Sequence, residues 1–185
     1  AVARMLSQKD YREEVFLFNT KGKLSEECQT NLDRLKTCGS VYFTEISTQF
    51  DPPTLTENHV VIDGLFGSGL NKPLNGGFAA VVKYINASKA QVVAIDIPSG
   101  LMGEDNTYNV RPNILRADVT LSIQLPKLSF LFPENEDIVG DWELLDIGLK
   151  QSFIDTAASV YSIIEEADIR SLIKPRKRFA HKGTF

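Results

Sequence analysis

Two aspartates thirty-three residues apart, Asp63 and Asp96, each close a short apolar run and each lead into a turn of small residues. The first stretch, from His59, reads H-V-V-I-D-G-L-F-G-S-G-L-N-K-P, and the second, from Gln91, reads Q-V-V-A-I-D-I-P-S-G-L. An apolar run of this length bounded by turn residues has the pattern of a buried strand, with the acid at its carboxyl end. Ligands of open parallel sheets bind outside the carboxyl ends of the strands. The two acids and their turns are therefore expected to form one site. Carboxylates at neighbouring strand ends repel unless a cation or a hydrogen-bond donor sits between them. Ser99 adds a hydroxyl, and carbonyls of the turn add further oxygens. Such hard donors suit an alkali or alkaline-earth cation rather than zinc. Taken singly, Asp63 and Asp96 could each serve as no more than a turn or helix cap.

Gly67-Ser68-Gly69 follows the first acid and precedes a helical pattern by several residues. Glycines let backbone approach a ligand closely, and successive N–H groups can form an anion-binding nest. A tight strand-to-helix turn would use the same residues. The dinucleotide fingerprint G-x-G-x-x-G is not met, because Lys72 stands where the third glycine belongs. Lys127, in L-P-K-L-S-F, follows a later strand and could reach the same edge; otherwise it is a solvated lysine. His59 opens a strand and His181 lies in the tail, so no Ser-His-Asp set is expected. Trp142 falls in a strand pattern, as core or rim. No G-K-[ST] phosphate loop occurs, which argues against a kinase within this chain.

Alternating patterns must position these residues. Strands are expected at 15–19, 41–46, 59–66, 91–98, 118–125, 141–147 and 160–164. Helices are expected at 1–8, with Val2, Met5 and Leu6 on one face, then from the Ser25 cap to a C-cap glycine at Gly39, with Leu32 and Leu35 inward. Others are expected at 78–87, 151–156 and 166–173, and 128–132 is apolar but ambiguous. Strands alternating with helices argue for a three-layer α/β fold with a mainly parallel central sheet.

Composition narrows the class. A length of 185 residues favours one domain, or one plus a fragment of another. Apolar residues are 43% and charged residues 24%, as in ordinary soluble proteins. A net charge of −4 gives no support to nucleic-acid binding. The basic run at 174–182 is read as a solvated linker between domains. No apolar run approaches the ~20 residues of a membrane span. Cys28 and Cys38 sit ten apart with no C-x-x-C pattern. Free, buried or half-buried thiols and a cytoplasmic setting are expected.

The combination of D-G-L-F-G-S-G-L with D-I-P-S-G-L resembles the YjeF N-terminal domain, the NAD(P)H-hydrate epimerase family. N-x-x-R-L at 31–35 and the L-P-K-L segment are similar to that family too. The resemblance covers about residues 1–174, and 175–185 reads as linker plus the start of another domain. It implies a Rossmann-like α/β/α sandwich, a homodimer, and interconversion of the epimers of hydrated NADH and NADPH. It further implies a potassium ion held by Asp63 and Ser99. Gly67, Ser68, Gly69, Leu70, Asn71, Lys72 and Pro73 match the family's substrate loop, and Asp96 matches a substrate contact. From the chemistry of hydroxide loss and return, Asp96 is also the expected catalytic acid/base. H-K-G-T-F resembles the opening of a fused ATP- or ADP-dependent dehydratase domain. The family carries N-N-G-G-D, a further potassium ligand and phosphate site, just before the helix with which this chain begins; neither that motif nor the first strand is in the chain. Some relatives of this fold are non-catalytic scaffolds, which is the alternative function.

Overall fold

A computed structural model describes residues 1–39, 41–173, 178–181 and 183. The chain divides into two units, Ala1–Ile147 and Gly148–Phe185.

In the first unit the elements run α1 (Val2–Ser7), β1 (Glu14–Phe18), α2 (Glu26–Lys36), β2 (Tyr42–Ile46), β3 (Val60–Asp63), α3 (Gly76–Asn86), β4 (Gln91–Ile95), β5 (Val119–Ile123), α4 (Glu136–Val139) and β6 (Asp141–Leu145). Short 3-10 turns occupy Arg111–Asn113, Leu128–Leu131 and Pro133–Asn135. The second of these settles the ambiguous apolar stretch at 128–132. All strand pairs are parallel, as α/β alternation predicts. Flanked by helices, as expected of a three-layer α/β fold, the strands form two hydrogen-bonded groups: β1 with β2, and β3-β4-β5-β6 in sequence order. No strand among the described residues joins β1 to β3, and the two are not hydrogen-bonded to each other.

Register places Asp63 beside Ala94, Ala94 beside Thr120, and Thr120 beside Trp142, so these residues share one face of the larger sheet. Helix α3 covers that face through Ala79 and Val82, which join Leu74, Val92, Ala94, Leu115 and Ala117 in one buried cluster. Each large apolar side chain fully buried in this way contributes about 1.5–3 kcal/mol. The opposite face is more open, with Val60 at 59% and Ile62 at 42% exposure. A second cluster, built on Ile97, Leu101, Ile114 and Phe130, lies under the turn that follows β4.

Local signals explain most boundaries. Ser25 accepts the Cys28 N–H at 3.2 Å and so caps α2, whose Leu32 and Leu35 are buried. The helix ends at Lys36 with Thr37 still right-handed, so Gly39 is not its C-cap. Thr37 instead returns its hydroxyl to the Arg34 carbonyl, satisfying one end group locally. In α1 the expected apolar face packs only in part: Val2 and Met5 are exposed and Leu6 is half-buried, while Arg4 donates to Asn31 of α2 at 3.2 Å. β3, β4 and β5 each stop two or three residues short of the expected ends, where the chain turns to build the site. Both cysteines are free and half-buried. His59 bonds Thr56 locally and Trp142 sits at the rim beside Phe130.

The second unit holds α5 (Gln151–Thr156) and α6 (Glu166–Leu172). A capping box between Glu165 and Asp168 starts α6. The strand expected at 160–164 does not form; Val160, Tyr161 and Ile164 are exposed. β-branched residues favour a strand only where a neighbour pairs with it, and this unit contains no strand among its described residues. Of the basic run and tail, Lys174, Pro175, Arg176, Lys177, Lys182, Thr184 and Phe185 lie outside the described residues. No helix among the described residues is long and apolar enough to cross a membrane.

Candidate functional site

The carboxyl ends of β3 and β4 meet through Ser99. Its N–H donates to Asp63 Oδ2 at 2.7 Å and its hydroxyl donates to Asp63 Oδ1 at 2.7 Å. The Leu65 N–H adds a third bond to Oδ1 at 3.2 Å, an Asx-type turn that bends the chain as it leaves β3. Phe66 N–H in turn donates to the Ser99 hydroxyl at 3.0 Å, tying the loop start to the β4 turn. Asp63 is 4% exposed and Ser99 is fully buried. Burial pushes the Asp63 carboxyl above its ordinary value; bonds from the Ser99 hydroxyl, the Ser99 N–H and the Leu65 N–H offset only part of this.

Gly100 makes the Ser99 placement possible. Its φ is +99°, and a Cβ there would stand 2.5 Å from the Asn113 carbonyl oxygen. The Ser99 carbonyl is held by the Leu115 N–H at 2.9 Å, and the Pro98 carbonyl by the Leu101 N–H at 3.0 Å. The turn carbonyls expected as free oxygen donors are thus already engaged, each with one lone pair in use.

Asp96 sits one residue past β4 at φ +72°, a region L-residues rarely adopt. Its Oδ2 accepts the Ser68 N–H at 2.9 Å, and its Oδ1 pairs with Lys127 Nζ at 2.7 Å. Partial burial alone would raise this carboxyl, but the bonds from Lys127 and Ser68 outweigh it and hold the group below its ordinary value. A Cβ on Gly67 would come within 3.2 Å of Oδ2, so glycine there is what admits the carboxylate to the loop. Gly69, by contrast, has open space around it.

The structure therefore gathers Asp63, Asp96, Ser99 and the 67–73 loop at one sheet edge. The two carboxylates share no common partner: Asp63 is satisfied by Ser99 and Leu65, Asp96 by Ser68 and Lys127. Within the loop, Gly67, Ser68, Gly69, Asn71 and Lys72 are exposed. Leu70 instead packs on the core cluster, and Pro73 is half-buried. The central N–H of the Gly-Ser-Gly turn is spent on Asp96, which leaves the flanking Gly67 and Gly69 amides for a ligand.

The donor set fits a cation of low charge. A carboxylate this buried, with no ion pair to it among the described residues, leaves negative charge that its neutral donors only partly offset. Asp63 Oδ2 and the Ser99 hydroxyl each retain one lone pair after their protein bonds. No group of three or more His, Cys, Asp or Glu placed to hold a metal occurs among the described residues, so the available donors are carboxylate, hydroxyl and backbone oxygen. Lys127, which the sequence left open between this edge and solvent, lies at the edge, paired with Asp96. Its position in L-P-K just past β5 was the available signal; the positive φ of Asp96, which aims the two side chains at each other, had none.

Residues 1–129 match the family described as YjeF-related protein N-terminus. A bifunctional NAD(P)H-hydrate repair enzyme Nnr from Thermofilum pendens is 30% identical over 99% of this chain and 34% of its own length. An NAD(P)H-hydrate epimerase from Oenococcus oeni is 28% identical over 80% of this chain and 67% of its own. Another from Rhodopirellula baltica is 37% identical over 51% of this chain and 38% of its own. The chain thus spans about a third of the length of the bifunctional relatives it matches.

Proposed function

The chain belongs to the family of YjeF-related protein N-termini, and on that premise we propose that it is the epimerase part of an NAD(P)H-hydrate repair enzyme. The observation that carries this reading is the placement of Asp96, a carboxylate held at two points against a glycine-rich loop, beside the buried Asp63–Ser99 pair. The relatives' names describe an enzyme, and the scaffold alternative draws no support from them.

Hydrated NADH or NADPH is the substrate on this reading. Its ring nitrogen expels the hydroxyl from one face, leaving a cationic ring, and water adds to the other face. Asp96, ionised at rest beside Lys127, takes up a proton from solvent before it gives it to the departing oxygen, and takes one from the water that adds and returns it to solvent, so the cycle closes with no net proton. As a carboxylate it also faces the cationic ring with opposite charge. The 67–73 loop receives the phosphate region through its flanking amides. The direct test is the fate of a single hydrated-NADH epimer given to the full-length protein. The second epimer should appear faster than in buffer, and a rate equal to buffer would reject the proposal.

Asp63 and Ser99 are the residues that would hold potassium. Bound there, the ion would supply positive charge beside the loop; the residues themselves fix the two strand ends relative to each other. In the full-length protein, Asp63→Ala is expected to abolish potassium stimulation of the rate. Potassium dependence equal to that of the parent would remove the assignment. We further propose, from the family resemblance alone, a homodimer, a fused dehydratase domain in the longer protein, and a cytoplasmic setting.

A further inference from the structure

Neighbouring strands β4 and β5 leave the sheet by the same unusual step. Past Ile95, Asp96 adopts φ +72° and the Ile97 N–H returns to the Ile95 carbonyl at 3.0 Å. Past Ile123, Gln124 adopts φ +62° and the Leu125 N–H returns to the Ile123 carbonyl at 2.7 Å. Three-residue turns of this hand are rare and strained, and neither residue is a glycine. Strain of this kind persists only where the surroundings over-determine it.

Lys127 Nζ touches both turns. Besides Asp96 Oδ1, it lies 3.2 Å from Ser122 Oγ, 3.2 Å from the Leu125 carbonyl and 3.3 Å from the Ile123 carbonyl. Ser122 closes the set by donating to the same Leu125 carbonyl at 2.9 Å. The Lys127 side chain is 15% exposed, which a solvated surface lysine would not be. Its three protons face four acceptors inside the protein, so no donor is left over for a ligand.

We infer that Lys127 is a positioning residue: it clamps the β5 turn to the carboxylate at the end of β4 and so sets which way Asp96 faces the 67–73 loop. One carboxylate oxygen is fixed by the lysine and the other by the Ser68 N–H, which leaves no free rotation about the carboxyl. The outward lone pairs then point at whatever the loop holds. The charged groups around Asp96 agree with this. Lys127 reaches it from beyond β5, Asp63 at the end of β3 is turned into Ser99, and Lys72 on the loop is exposed. The depressed carboxyl of Asp96 follows from the same contacts.

The kinetic half of the test rests on the epimerase reading; the titration half does not. In the full-length protein, the 13C-carboxyl signal of Asp96, assigned with Asp96→Asn, should titrate below the ordinary carboxylate value of about 3.9. Lys127→Met keeps the stem and removes the charge, and should raise that midpoint by about one unit or more. Lys127→Arg should restore most of it. With one hydrated-NADH epimer as substrate, Lys127→Met should lower kcat by roughly 10–100-fold, since a misplaced catalytic group can cost about 10²-fold, with KM changed much less. An unmoved midpoint in folded Lys127→Met overturns the inference, as does a raised KM with unchanged kcat, which would make the lysine a binding residue. A parent midpoint at or above the ordinary value overturns it without any variant. A parent that titrates as expected yet does not epimerise leaves Lys127 in place and rejects the activity instead.

Discussion

Asp96→Asn is expected to cut the epimerisation rate by roughly 10²–10⁴-fold, the usual contribution of a general acid–base group. The amide keeps the shape of the side chain and its acceptor oxygen can still take the Lys127 proton or the Ser68 N–H. It loses the titratable proton and the negative charge that faces a cationic ring. Ligand affinity should therefore fall far less than the rate. The substitution also leaves the Lys127 ammonium, 15% exposed, without its counter-charge, so a circular-dichroism spectrum belongs beside the kinetics. A folded variant within a few-fold of the parent rate would remove Asp96 from the chemistry. A parallel collapse of rate and affinity would make it a binding residue.

Gly100→Ala is expected to lower stability strongly. The backbone there has φ +99°, outside the region a side chain tolerates, and the new methyl would meet the Asn113 carbonyl oxygen at 2.5 Å and Ile114 Cα at 3.0 Å. Both neighbours are backbone of a buried turn, so neither can swing aside. Conformational strain and overpacking each cost about 1–3 kcal/mol, and together they should shift the urea midpoint clearly downward. Any chain that still folds would carry a displaced Ser99, and with it an altered Asp63. A midpoint equal to that of the parent would show that the β4 turn is softer than its geometry states.

Much of this frame was legible in the sequence because it is written in short-range patterns. The apolar runs before Asp63 and Asp96 gave two adjacent parallel strands, and the small residues after them gave the turns. Sheet geometry then brought both acids to one edge, with Ser99 bonded to Asp63. The family resemblance supplied roles that no spacing could. Three things were not legible. The strand expected at 160–164 had the right residues, but a strand is decided by its neighbour in space. The open sheet between β1 and β3 depends on long-range pairing that local periodicity does not report. The Lys127 clamp depends on backbone angles at Asp96 and Gln124, two polar residues that carry no glycine to announce a positive φ. Of the cation or hydrogen-bond donor expected to relieve the two carboxylates, the structure shows donors, a separate set for each acid.

In the proposed reaction hydroxide leaves one face of the hydrated ring and returns on the other. One hydrated-NADH epimer, incubated with the full-length protein in 18O-labelled water and followed for both stereochemistry and mass, tests that directly. The account predicts that the second epimer forms faster than in buffer and carries the label at the hydrated carbon. Inversion without label, or no acceleration over buffer, would contradict it.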